Sequence, residues 1–309
     1  MIFELSKFFT ECGLMGIKER SFFMQNTLKL VIPDWRAGDR PEYYRGAQLM
    51  SMLAPLSDDI KEVTLPLTNP QGQVNKLQNG IHGQEDLIAE VRNIWSTLEQ
   101  EDPAKIVTIG GNCFVSQVPF DYLHQKYGDK LGIIWIDTHP DVSEPTFYDN
   151  EHAMVLGNLL GHGDPELAKE VHNKFNPDSV LMLGLQPLTE DEPAALEKIG
   201  LKYKIQDKGF LSTTEVQDWI KQHGFEKVLV HFDLDVLSPD DFRLQYFSEP
   251  HATEYPSAHG KMTLKQAAEY LKAIQEASEI VGLTIAEFLP WDIINLQRTF
   301  STLKIVNNK

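Results

Sequence analysis

Short, almost unbroken apolar runs recur along the chain: Ile106 to Ile109, Leu131 to Ile136, Val180 to Leu183, Val228 to Phe232 and Ile280 to Ile285. Runs of this length read as strands, and their lack of polar alternation suits strands covered on both faces, as in a parallel sheet. Between them the period changes. Leu87, Val91, Ile94, Trp95 and Leu98 fall on one side of a helix, as do Leu264, Ala267, Ala268, Leu271 and Ile274, so both stripes read as core faces. Ser212-Thr213-Thr214-Glu215 and Thr263-Leu264-Lys265-Gln266 have the form of capping boxes, and Gly224 supplies a stop. Alternating strands and helices predict an α/β fold, a three-layer doubly wound, mostly parallel sheet with right-handed crossovers. Ligands of such sheets bind outside the carboxyl ends of the strands.

Composition leaves this picture intact. The 309 residues are 42% hydrophobic, 24% charged and 10% aromatic, which excludes a fibrous or disordered chain. With no Gly/Ser linker or repeat, one domain over 1–309 is expected, with 1–25 as an appended helix. A formal net charge of -17 argues against nucleic acid or an anionic membrane as partner and suits a small cationic molecule, although solubility alone explains such a surface equally well. Cys12 and Cys113 are too few for a disulfide framework. Glu4 and Glu11 spoil a signal peptide, and no apolar run approaches the roughly 18 residues of a membrane span. A cytoplasmic protein is the expectation.

Candidate chemistry is concentrated in two runs, Asp137-Thr138-His139-Pro140-Asp141 and Asp233-Leu234-Asp235, each directly behind a strand. In an extended backbone, residues two apart project to one side, so Asp137, His139 and Asp141 converge, joined by Asp233 and Asp235 from a second strand. Four carboxylates held that closely raise one another's pKa, and divalent cations relieve the conflict. Taken alone, the first run also reads as a turn in which Asp137 caps and His139 is a buried, hydrogen-bonded histidine.

With IGGNC at 109–113, WIDTHPD at 135–141, HFDLDVLSPD at 231–240 and GLTIAEFLP at 282–290, the chain resembles the ureohydrolases, the arginase and agmatinase superfamily, from about residue 30 to its end. The resemblance implies an arginase-like fold and a site for two manganese ions. Asp137 and Asp233 correspond to carboxylates bridging both, Asp141 completes one shell, and His139 and Asp235 complete the other, a donor set suited to manganese. The family chemistry is attack of a metal-bridging hydroxide on a guanidinium carbon. Glu287 matches a glutamate that pairs with the guanidinium; a solvent-facing glutamate at a strand end is the plainer reading. His152 resembles a histidine that shuttles a proton to the leaving amine. Together with Asp141 these two form the catalytic set. Trimers or hexamers are also implied.

Three departures from the family stand out. Most relatives carry Gly-Gly-Asp-His in the first block, whose histidine binds the first metal; here Asn112 and Cys113 stand there. Cys113 is then a thiolate ligand that shifts preference towards zinc, iron or cobalt, or a thiol beside the metal, or the mark of a weakened first site with one ion bound. In the loop that holds the substrate head group, only Ser143, Thr146 and Asn150 keep hydrogen-bonding capacity comparable to the family's, and Thr189 takes the place of an acid that meets the substrate amine, with Glu190 to Glu192 just beyond. The segment Phe242 to Tyr255 is longer and more aromatic than the family leads one to expect, and such loops set specificity.

The implied reaction is metal-dependent hydrolysis of a linear C–N bond in an arginine-like, agmatine-like or N-hydroxyarginine-like compound, releasing urea. Formiminoglutamate-type hydrolysis and a metal-depleted relative that only binds a ligand are the alternatives. A deacetylase on the same architecture leaves Glu287 without a role.

Overall fold

The computed structural model describes residues 26–307 apart from 55, 58, 71 and 72; the helix expected at 1–25 lies outside the described residues. The strands are β1 (Thr27–Ile32), β2 (Lys61–Thr64), β3 (Leu77–Gln78), β4 (Ile81–His82), β5 (Lys105–Gly110), β6 (Leu131–Ile136), β7 (Val180–Leu183), β8 (Lys227–Asp233) and β9 (Glu279–Ala286). β3 and β4 form a small antiparallel hairpin; the other seven make one parallel sheet in the order β2-β1-β5-β9-β8-β6-β7.

The five expected strands are β5 to β9. The apolar pattern does not announce β1 and β2. Lys29 interrupts β1, and its charge is carried by Glu62 of β2 at 2.8 Å. β2 itself reads Lys-Glu-Val-Thr, largely exposed, a charged edge of the kind that discourages sheet-to-sheet pairing.

Residue parity along the central strands assigns two cores. Ile133 and Trp135 of β6 and Leu229 of β8 pack with Leu87, Val91, Ile94 and Leu98 of the helix Gln84–Glu101 and with Val118 and Phe120 of Gln117–Tyr127. Ile134, Ile136, Val228 and Val230 face the other way, onto Val216 and Ile220 of Thr213–His223 and Ala267, Tyr270 and Ile274 of Leu264–Ala277. Each large side chain so buried contributes about 1.5–3 kcal/mol, which fixes strand register, since a one-residue slip exchanges the two faces. Both capping boxes form: the Ser212 hydroxyl accepts the Glu215 N–H at 3.2 Å while the Glu215 carboxylate accepts the Ser212 N–H at 2.6 Å, and Thr263 and Gln266 repeat the exchange. Gly224 ends its helix at φ 68°. Among the described residues no helix is long and apolar enough to cross a membrane.

The order β5-β9-β8-β6 sets four carboxyl ends side by side. Cys113, Glu287 and Asp137 follow β5, β9 and β6, and Asp233 is the last residue of β8.

Candidate metal centre

The extended geometry expected for the first acidic run stops at Ile136. Convergence has a different cause, which is shared by both runs. The Asp137 Oδ1 accepts the His139 N–H at 2.7 Å, and the Asp233 Oδ1 accepts the Asp235 N–H at 2.6 Å, so each aspartate bends the chain by capping the amide two residues on. Asp141 then enters the left-handed region at φ 49°, uncommon for a residue with a Cβ but best tolerated by Asp and Asn. Asp137 is thus a cap and a member of the acidic cluster at once.

The first block is built around Asn112. Its Oδ1 accepts the Phe114 N–H at 3.1 Å and its Nδ2 donates to the Asp34 Oδ2 at 2.8 Å, while a Cβ on Gly111 would lie 1.7 Å from the Asp34 carbonyl oxygen. Those contacts press two turns together and deliver Cys113, whose Sγ is 2.9 Å from the Asp233 Oδ2 and 3.8 Å from the Glu287 Oε1. Burial, followed by Asp141, Asp233 and Glu287, pushes its pKa well up, so Cys113 is a thiol donating to Asp233. Glu287 is also left-handed, at φ 65°; its N–H donates to the Gly111 carbonyl at 3.1 Å, and the neighbouring Tyr43 hydroxyl opposes the rise of its carboxylate pKa.

Three groups of donor atoms form, each within 4.8 Å: Cys113, Asp137, Asp141 and His231; Cys113, Asp233 and Glu287; Asp137, His139 and Asp235. Shared members make them adjoining. Burial and then neighbouring carboxylates raise Asp141 and Asp233, burial raises Asp235, and burial with Asp235 and Asp137 pushes Glu287 up to about 8. Burial would raise Asp137 too, but His231 and His139 outweigh it and hold it low. Burial pulls the His139 imidazole down, yet Asp235, Asp137 and Asp141 together push it up to about 10. Asp141 Oδ2, Asp235 Oδ1 and His231 Nε2 are buried with no hydrogen-bond partner among the described residues. Crowded buried carboxylates and unpartnered donor atoms of this kind fit divalent cations of the oxygen- and nitrogen-seeking class.

A cavity of about 310 Å³ opens over the cluster. Ser143, Asn150, His152, Thr189 and Glu287 all line it, and the Asn150 Oδ1 is buried without a partner among the described residues. Thr146 is not brought there; it lines a separate surface cavity with Glu144 and Lys198. Thr189 is joined in the cavity wall by an acid two residues on. The Thr189 and Ser143 hydroxyls donate to the two oxygens of Asp191 at 2.9 and 2.6 Å, and Asp191 lines the cavity. His152 Nδ1 is 3.0 Å from the Ala37 carbonyl; a carbonyl only accepts, so Nδ1 carries the proton and Nε2 is free as a base. Burial, then His139 and Arg40, lowers His152 to about 4, keeping it neutral at neutral pH.

Tyr246 brings the aromatic segment to the cavity wall, packed with Phe247 and Tyr255 at 5.1 and 5.4 Å between ring centroids. Arg40 lies 4.7 Å over the Tyr246 ring and 3.3 Å from the Glu249 Oε2, and Ser257 Oγ is 2.9 Å from the His139 Nε2. Arg40, Tyr43 and Ser257 belong to no motif. His231 carries a signal that the sequence pattern leaves unused, since it precedes Asp233 by the same two-residue step that singles out Asp235.

A family model described as "Arginase family" matches residues 57–304. The chain is 25% identical over 215 residues to an arginase of Staphylococcus aureus (strain MSSA476), covering 64% of this chain and 69% of that relative. Its fold is similar to that of Entamoeba histolytica arginase in complex with L-ornithine (TM-score 0.72, 14% identity, 86% of this chain and 92% of that one). A native arginase structure from Bacillus caldovelox superposes with a TM-score of 0.69 at 21% identity over 86% of this chain and 92% of that one.

Proposed function

The chain belongs to the arginase family, and from that membership we propose that it hydrolyses the linear C–N bond of a guanidino compound bearing an amino-acid-like tail, with release of urea. The observation that carries this reading is Glu287, a buried carboxylate lining the same cavity as the metal-ligand cluster and 3.8 Å from Cys113 in its midst. A planar cation held by that carboxylate has its central carbon beside the cluster.

Asp137 and Asp233, with Asp141 on one side and His139 and Asp235 on the other, would hold two divalent cations, manganese suiting the donors best. When bound, such a pair supplies Lewis acidity and a water acidic enough to act as nucleophile at neutral pH. Glu287 fixes the guanidinium plane and neutralises its charge. His152 Nε2, neutral and with its tautomer set by the Ala37 carbonyl, takes a proton and passes it to the departing amine. Asp191, clasped by Ser143 and Thr189, receives a tail ammonium, and Arg40 at the cavity wall receives a tail carboxylate. Arg40 therefore favours arginine, N-hydroxyarginine or a guanidino acid over agmatine.

Purified protein supplied with Mn2+ and offered arginine, agmatine, guanidinobutyrate, N-hydroxyarginine and formiminoglutamate tests the reading. Urea is expected from a carboxylate-bearing guanidine, and Asp137→Ala is expected to abolish it. Formamide from formiminoglutamate would move the assignment to that reaction. A protein that binds two ions and turns over none of the five would sink it. Arg40→Gln is expected to raise KM roughly tenfold for carboxylate-bearing substrates, the worth of one charge-assisted hydrogen bond, and to leave agmatine unaffected.

A further inference from the structure

His231 stands outside the ligand set described above, and its surroundings are those of a ligand. It lies on β8 with the parity of Asp233, wholly buried, and its ring is stacked on Trp135 at 3.7 Å and 12°. The stack fixes the ring plane. Its Nδ1 is 2.8 Å from the Ser116 Oγ, so one ring nitrogen is occupied. The other, Nε2, is buried without a hydrogen-bond partner among the described residues, 3.6 Å from the Asp137 Oδ2. That distance is too long for a hydrogen bond. Asp137 is already served elsewhere, by the Trp135 Nε1 at 3.1 Å on Oδ2 and by the His139 N–H on Oδ1.

Leaving an imidazole nitrogen unpaired in the core is costly. The ring nitrogen, the Cys113 Sγ and oxygens of Asp137 and Asp141 lie within 4.8 Å of one another. Two ligands on one ion at about 2.1 Å each are at most about 4.2 Å apart, so a shift of a few tenths of an ångström closes the set on a cation. A metal-bound histidine generally donates its other ring N–H to a neighbouring acceptor, and the Ser116 hydroxyl is placed for that.

We propose that His231 is a metal ligand, supplying from β8 the imidazole that Cys113 does not supply from the turn after β5. The proposal rests on the two-cation reading of the site. The histidine of the first metal then comes from the interior of β8, two strands along the sheet from β5, while the first ion's place, beside Asp137 and Asp141, is kept. Cys113 then stands beside the ion as a thiol donating to Asp233 instead of closing its shell.

The test reads the bond itself. Protein carrying 15N-histidine and loaded with 113Cd2+ is expected to show scalar coupling from cadmium to ring nitrogens of two histidines, His139 and His231. The His231 coupling should disappear in His231→Gln, which keeps the side-chain volume. Metal analysis on manganese-loaded protein is expected to give two ions per chain in the parent and one in the variant. Coupling at His139 alone in the parent protein overturns the assignment without recourse to any variant. So does a folded His231→Gln protein that still binds two ions at unchanged affinity. Failure to hydrolyse any guanidine while both couplings are present removes the functional reading and leaves the ligand assignment standing.

Discussion

Tyr43 is buried and lines the cavity with Glu287, so removing its hydroxyl is a test of the site without a change of shape. Tyr43→Phe removes the hydroxyl that opposes the rise of the Glu287 pKa and is expected to lower kcat/KM, seen in steady-state urea release, with the thermal midpoint almost unmoved. Asp191→Asn is expected to act on KM alone, for substrates with an α-ammonium, because Asp191 is held 2.6 and 2.9 Å from two hydroxyls that stay in place. The contrast between these residues and the aspartates shows what the sequence makes legible. Asp137, His139, Asp141, Asp233 and Asp235 sit in two local patterns, and a local spacing rule finds them. Tyr43, Arg40 and Asp191 reach the site from segments whose own residues carry no pattern, and only the folded sheet makes them neighbours. Thr189 shows the intermediate case: position singled out the loop, and the fold sets Thr189, Asp191 and Glu192 in the cavity wall together.

Among elements, the helix starts and the sheet's middle were readable, because capping boxes and unbroken apolar runs have local causes. The edge strand β2 was not, since Lys61-Glu62-Val63-Thr64 owes its conformation to pairing with β1 and not to burial. Two substitutions separate stability from site geometry at this scale. Ser212→Ala removes an N-cap far from the cluster and is expected to cost about 0.5–2 kcal/mol, read as a lower urea midpoint with metal content unchanged. Gly111→Ala meets the Asp34 carbonyl oxygen and must spread the turns that carry Cys113 and receive the Glu287 N–H. Loss of bound metal is the expected result, measured on whatever folded fraction survives.

For the whole molecule, the carboxylates gathered at the sheet edge make metal and stability inseparable. In metal-free protein Glu287 titrates near 8, against an ordinary 4.5, and His139 near 10, against 6.5. Between pH 6.5 and 8 the folded state therefore keeps protons that the unfolded chain has released, and stability falls as pH rises. His152, lowered to about 4, is neutral in both states above 6.5 and opposes the trend only below it. Calorimetry of chelator-treated protein is expected to show a melting temperature declining across this window, and manganese is expected to remove the decline; an apoprotein that grows more stable towards pH 8 would contradict the charge balance. The crowded edge also has a cellular consequence. A chain that unfolds more often when its cations are withdrawn is offered more often to proteases, so its half-life under metal starvation should shorten, and the amount of protein in a cell should report the supply of metal.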